Sequence, residues 1–142
     1  MNARVIALFL LAGCSFASAD TTAELVARAA SARVEDQPVL YMKAAEQQLK
    51  AADKLYSDGK PEQAAALIGE IEDYSAKATD ASISSGKRLK NTEIDIRKIS
   101  TRLRDIQHSL SYDDQAPVKA AVDKLEQLRT RLLDRMFARK KK

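Results

Sequence analysis

The sequence predicts an all-α protein, an elongated antiparallel helical bundle with one long central helix over about residues 61–110, flanked by helices over about 38–57 and 116–138. Three observations carry this. Counting from Ile68, the residues Ile71, Ser75, Ala78, Ser82, Ser85, Leu89, Thr92, Ile96, Ile99, Leu103, Ile106 and Leu110 recur in steps that alternate three and four without a slip. That is the heptad seam of an α-helix. Alanine and leucine are abundant, Trp is absent, and only four Gly and three Pro punctuate the 142 residues, a helical composition. Charged residues make up 31% of the chain, as expected of helices wet on one side and buried on the other. A chain of this length forms one domain at most.

The seam is aliphatic from Leu89 to Leu110 and small or polar at Ser75, Ala78, Ser82 and Ser85. Ser84, Ser85 and Gly86 would ordinarily mark a break. An interrupted helix leaves the apolar phase free to shift, and the phase does not shift, so the reading favours one continuous helix. It would reach roughly 75 Å at about 1.5 Å per residue, with Gly86 costing about 1 kcal/mol relative to Ala.

Taken in order, residues 1–19 read as a signal peptide. Met1 to Arg4 is a short positive region, Val5 to Ala12 is an apolar run too short to span a bilayer, and Ala17-Ser18-Ala19 is a small-x-small cleavage site. Leu11-Ala12-Gly13-Cys14 also resembles the lipobox of bacterial lipoproteins, which would lipidate Cys14 and tether the chain. The two processing routes stay open, with cleavage before Asp20 preferred. Residues 20–36 are expected to form a weak N-terminal helix or tether, opened by the capping box Thr21-x-x-Glu24 and carrying Leu25, Val26, Ala29 and Val34.

Residues 37–142 are read as a single helical domain. Pro38 suits a first helical turn, and Tyr41, Ala45, Leu49, Ala52 and Leu55/Tyr56 recur on one face. Asp58-Gly59-Lys60-Pro61 is a tight connection to a face of Ala64, Leu67, Ile68 and Ile71, which makes an antiparallel αα-hairpin. With Ala52, Leu55, Gly59, Ala64 and Ile68 at its small, large and turn positions, residues 45–76 resemble a single tetratricopeptide-repeat hairpin. Ala76 replaces that family's usual proline, and no second copy follows at a period of about 34 residues. The resemblance implies a packing mode and carries no groove-binding role. After Leu110, Ser111 to Pro117 breaks the pattern, and Asp113 and Asp114 favour the next helix N-terminus. That helix shows Val118, Ala121, Val122, Leu125, Leu128, Leu132, Met136 and Phe137, with Arg129, Arg131, Arg135 and Arg139 in its last turns.

Residues 20–80 hold 7 basic and 12 acidic side chains, and residues 81–142 hold 16 and 8. The chain is therefore a dipole more than a polycation. Lys87, Arg88, Lys90, Arg97, Lys98, Arg102 and Arg104, with the tail Arg139, Lys140, Lys141 and Lys142, form the candidate anion or partner surface. The plainer alternative is a solvated face with local pairs such as Glu93–Arg97, Glu46–Lys50 and Asp73–Lys77 at i,i+4. Nucleic acid is discounted as a partner, because the leader directs export and aromatic stacking residues are scarce. A protein partner or an anionic envelope component is expected. Membrane contact would come only through lipidation or anionic headgroups, and self-association remains open.

No catalytic constellation occurs. His108 is the one histidine, and Asp105-x-x-His108 would need further inward ligands to hold a metal pair. Glu70, Glu72 and Asp73 diverge around a helix axis and cannot form a calcium loop. There is no nucleophile elbow, P-loop or dinucleotide fingerprint. The expectation is a non-catalytic, cofactor-free interaction or structural protein, exported to the periplasm or beyond. The alternatives are a periplasmic chaperone-like binder and a binder of anionic lipid or cell-wall polymer.

Overall fold

The computed structural model describes residues 20–138. Residues 1–19, where the signal peptide and Cys14 lipidation are expected, and Arg139 to Lys142 lie outside them. Five helices and no strand occur among the described residues.

The first helix, α1 (Thr22–Ser31), is started by the expected capping box: the Glu24 amide donates to Thr21 Oγ1 (3.2 Å) and the Thr21 amide to Glu24 Oε2 (3.3 Å). These bonds satisfy two of the orphan donors at the helix start. Leu25 and Ala29 are buried where α1 runs antiparallel along α2 (Gln37–Ser57). Thr22 Oγ1 donates to Gln47 Oε1 (2.8 Å), and Gln47 Nε2 donates to the Asp20 carbonyl (2.7 Å). Val34, expected on the packed face of the first helix, instead lies in the turn after it and is 42% exposed.

Gly59 (φ 73) turns the chain from α2 into α3 (Pro61–Ser85). The Lys60 amide bonds back to the Leu55 carbonyl (2.9 Å), the pattern that satisfies carbonyls at a helix end. The faces that meet are the expected ones, Tyr41, Ala45, Leu49 and Ala52 on α2 against Ala64, Ile68 and Ile71 on α3.

The single helix expected over 61–110 is two helices. α3 stops at Ser85, Gly86 adopts the left-handed conformation (φ 68) with its amide on the Ser82 carbonyl (2.9 Å), and Arg88 is left-handed as well (φ 58). The chain then reverses into α4 (Leu89–Ser109). Ser82 Oγ and Thr92 Oγ1 lie 2.7 Å apart and buried, whereas ten residues of straight helix would part them by about 15 Å. Ser85 Oγ accepts from the Lys87 amide (3.1 Å), and the Arg88 Nε donates to the Glu35 carbonyl (3.0 Å). These bonds hold a non-glycine residue in a region that costs L-residues roughly 1–2 kcal/mol. The apolar phase survives the break because both helices turn their ridges to one core. Ile71, Ser75, Ala78 and Ser82 are buried on one side of the linker, and Leu89, Thr92, Ile96, Ile99, Leu103 and Ile106 on the other.

A 3-10 turn at Tyr112–Asp114 leads into α5 (Gln115–Ala138). Ser111 Oγ donates to Asp114 Oδ2 (2.9 Å), and Gln115 Nε2 donates to the Leu110 carbonyl (3.1 Å). Val118, Ala121, Val122, Leu125, Leu128 and Leu132 of α5 are buried. The result is two antiparallel hairpins, α2–α3 and α4–α5, closed on each other with α3 beside α5 and α2 beside α4. Arg131 of α5 reaches Asp80 of α3 (2.8 Å), and Arg102 of α4 reaches Asp53 of α2 (2.5 Å). Those contacts at matching heights make each of these two pairs parallel. The 32–36 and 86–88 loops and the C-terminus of α5 therefore share one end, called the linker end below. The 58–60 and 110–114 loops share the other, where Tyr56 feels the charge of Asp114. Helices of 21 to 25 residues span roughly 31–37 Å, about half the length of the expected rod.

Candidate interaction surface

The reversal at 86–88 redistributes the basic residues of the candidate surface. Lys87 and Lys90 sit on either side of the α4 start, exposed, with no side-chain ion pair or hydrogen bond among the described residues. Arg88, between them, bonds the Glu35 carbonyl and approaches Asp36 (3.8 Å). Arg102 points to α2 and Asp53, and Arg104 to α5 and Glu126 (2.8 Å). Arg97 reaches Glu93 only at 4.0 Å. Lys98 lies near Asp95, whose carboxyl burial pushes up while the lysine opposes. Only Lys87, Arg88 and Lys90 of the seven are brought together, and they gather at the linker end.

The remaining expected local pairs divide. Lys77 meets Asp73 at 3.0 Å and also lies over the Tyr41 ring, 5.8 Å from its centroid. Glu46 and Lys50 make no ion pair with each other. Glu93 keeps Arg97 at 4.0 Å and is held more closely from α5: Arg129 reaches it through Nη2 at 2.9 Å and Nε at 3.0 Å. Arg129 Nη1 donates to Glu126 Oε2 (2.8 Å), and Glu126 Oε1 accepts from Ser100 Oγ (2.7 Å) and Arg104 Nη2 (2.8 Å). Burial pushes the Glu126 carboxyl up, but the Ser100 hydrogen bond, the Arg129 charge and the Arg104 contact together hold it below the ordinary carboxylate range. Every member of this network bonds another member. Its chemistry is a clasp between α4 and α5.

On the α2–α3 hairpin, burial pushes Glu72 up against the pull of Lys124, and Gln48 Nε2 donates to Glu70. His108 and Asp105 are exposed on α4. Among the described residues no three His, Cys, Asp or Glu side chains converge as a metal site. No helix among them is long and apolar enough to cross a membrane.

The linker end also gathers exposed apolar residues, two of which, Val34 and Phe137, the helical phasing placed on packed faces. Val34 (42% exposed), Val39 in the first turn of α2 (38%) and Phe137 in the last turn of α5 (56%) are three of the four exposed large apolar side chains among the described residues. Phasing places Phe137 beside the core, because it reads position around a helix and cannot see where the packed partner ends. A notch of about 480 Å³ lies between the two loops, lined by Arg33, Glu35, Asp36, Lys87 and Arg88. Arg33 pairs with Glu35 (2.9 Å) and Asp36 (3.3 Å), so both carboxylates of the notch are countered by arginine.

Compared with protein-family models, with curated proteins and with solved structures, the chain gives no match.

Proposed function

We propose that this protein is a non-catalytic, exported helical interaction module of the bacterial envelope. Charge segregation between the two hairpins carries the reading. Residues 20–80, with 7 basic and 12 acidic side chains, fill α1, α2 and most of α3, while residues 81–138, with 12 and 8, supply the end of α3, the linker, α4 and α5. Cross-hairpin pairs, Arg88–Asp36, Arg102–Asp53 and Arg131–Asp80, use part of this difference to join the halves. The cations left over at the α4 start are offered outward, and the polar clusters inside the bundle are committed to packing bonds. Export rests on the Met1–Ala19 pattern of positive, apolar and small-x-small segments.

The alternative of an anionic lipid or polymer binder is favoured by Lys87 and Lys90, two exposed cations that stand close together at the α4 start without a side-chain ion pair, beside Arg88. A chaperone-like role has less support, since client holding calls for a contiguous apolar patch and the exposed apolar side chains here are few. The tetratricopeptide-like residues of α2 and α3 serve the same reading as the packing of one hairpin.

Intact mass of the protein recovered from fractionated native cells tests the proposal. The expected product begins at Asp20 and is found outside the cytoplasm. A product beginning at a diacylated Cys14 moves the module to the membrane surface. A full-length chain retained in the cytoplasm refutes it.

A further inference from the structure

We infer that the linker end of the bundle docks end-on against an anionic phospholipid surface. The inference rests on the reading of the protein as an envelope interaction module and names the partner of its basic residues.

The reversal at Gly86–Arg88 brings three separate segments to one end. The turn after α1 contributes Arg33 and Val34, the 86–90 segment contributes Lys87, Arg88 and Lys90, and the last turn of α5 contributes Phe137. Of the carboxylates at this end, Glu35 and Asp36 are met by Arg33 and Arg88 and Asp80 by Arg131, while Asp134 in the last turns of α5 is exposed. The opposite end carries Asp58, Glu62, Asp113 and Asp114 in and around its two loops, against Lys60 and Lys54, the latter paired with Asp58 (2.9 Å). The bundle thus has a basic end and an acidic end, an arrangement that orients it along its long axis in the field of a negatively charged surface.

Cations alone would suit any polyanion. The apolar side chains decide for a bilayer. Val34, Val39 and Phe137 stand exposed at the same end as these cations, and a headgroup layer offers their apolar surface an acyl boundary that a soluble phosphate or sugar polymer does not. In a headgroup layer they enter the acyl boundary while the basic residues stay at phosphate level. Each Lys or Arg near such a surface contributes about fivefold in binding, and the dependence fades within a Debye length as salt rises.

The chain contains no Trp, so a substituted one reports alone. The purified exported protein is mixed with phosphatidylcholine vesicles, with and without phosphatidylglycerol. It is expected to sediment with the anionic vesicles and to come off in salt. Phe137→Trp is expected to shift its emission to the blue on those vesicles, while Tyr112→Trp, at the acidic end and 89% exposed, stays unshifted. Lys87→Gln with Lys90→Gln, both at exposed positions, should weaken binding about 25-fold with unchanged helix content by circular dichroism. The inference is overturned by equal recovery on neutral vesicles, by no recovery on anionic ones, or by a blue shift at position 112 in place of 137. Inorganic polyphosphate bound as tightly as the vesicles, with Val34→Ser and Phe137→Ser making no difference to either, overturns it in favour of a polyanion. Cytoplasmic retention of the unprocessed chain is a separate result and bears on the envelope reading.

Discussion

Replacing Gly86 by alanine separates the two architectures by the sign of its effect. In the bundle Gly86 ends α3 at φ 68, a conformation that costs an L-residue roughly 1–2 kcal/mol. Had the helix run on through residue 86, alanine would gain about 1 kcal/mol there by removing an interior glycine. The outcomes therefore lie roughly 2–3 kcal/mol apart, well outside the error of a denaturation curve. Gly59→Ala calibrates the measurement. Gly59 is left-handed as well (φ 73), and a methyl there meets nothing within 4 Å, so its loss reports the backbone penalty alone. Urea titrations followed by circular dichroism should show both variants destabilised by similar amounts, with midpoints in thermal melts lowered by roughly 4 °C per kcal/mol. A stabilised Gly86→Ala beside a destabilised Gly59→Ala would refute the reversal.

Two further substitutions probe the interior. Ser75 Oγ is buried on α3 without a hydrogen-bond partner, so Ser75→Ala should raise stability by up to about 1 kcal/mol, and a clear loss in urea titration would contradict the assignment. Glu126→Gln, which weakens the clasp of Ser100, Arg104 and Arg129, should cost about 1–2 kcal/mol at neutral pH, discounted for partial exposure. Because the folded state holds Glu126 below its ordinary range, its contribution is present above the unfolded-state value and lost as pH falls through the folded one. The gap between wild type and variant should therefore close in acid, and a gap of constant size across the titration would show that charge is not its source. Glu72 and Asp95, which burial pushes up, act in the opposite sense. Their contributions are present in acid and lost as pH rises through their folded values.

Most of the core was legible because helical phase reports burial directly. Ile68, Ile71, Ile96, Ile99, Leu103 and Ile106 all fall on the seam and are all buried. The same regularity concealed the reversal. A three-residue linker carries the count from Ser85 to Leu89 in a step of four, and two ridges facing one core keep a common phase whether or not the helix is continuous. Ser84-Ser85-Gly86 was the better signal, since a left-handed glycine after a helix needs no tertiary context to act. The clasp was not legible: Arg129 and Glu93 are 36 residues apart, and local i,i+4 spacing gives only the longer Glu93–Arg97 contact at 4.0 Å. Lys87 and Lys90 could be read as exposed cations. Their convergence with Val34 and Phe137 could not, because it depends on which loops share an end, and that follows from the reversal.

The fold-back at 86–88 underlies both the bundle and its basic end, and a cross-link tests it most directly. Ser82 Oγ and Thr92 Oγ1 are 2.7 Å apart, so their Cβ atoms lie no more than about 5.6 Å apart, within about 1–2 Å of the roughly 3.5–4.5 Å a disulfide needs and far from the roughly 15 Å a continuous helix would impose. Ser82→Cys with Thr92→Cys should oxidise readily within the monomer and raise the melting temperature relative to the reduced form. A pair that remains reduced under mild oxidant, or that links only between molecules, would contradict the account.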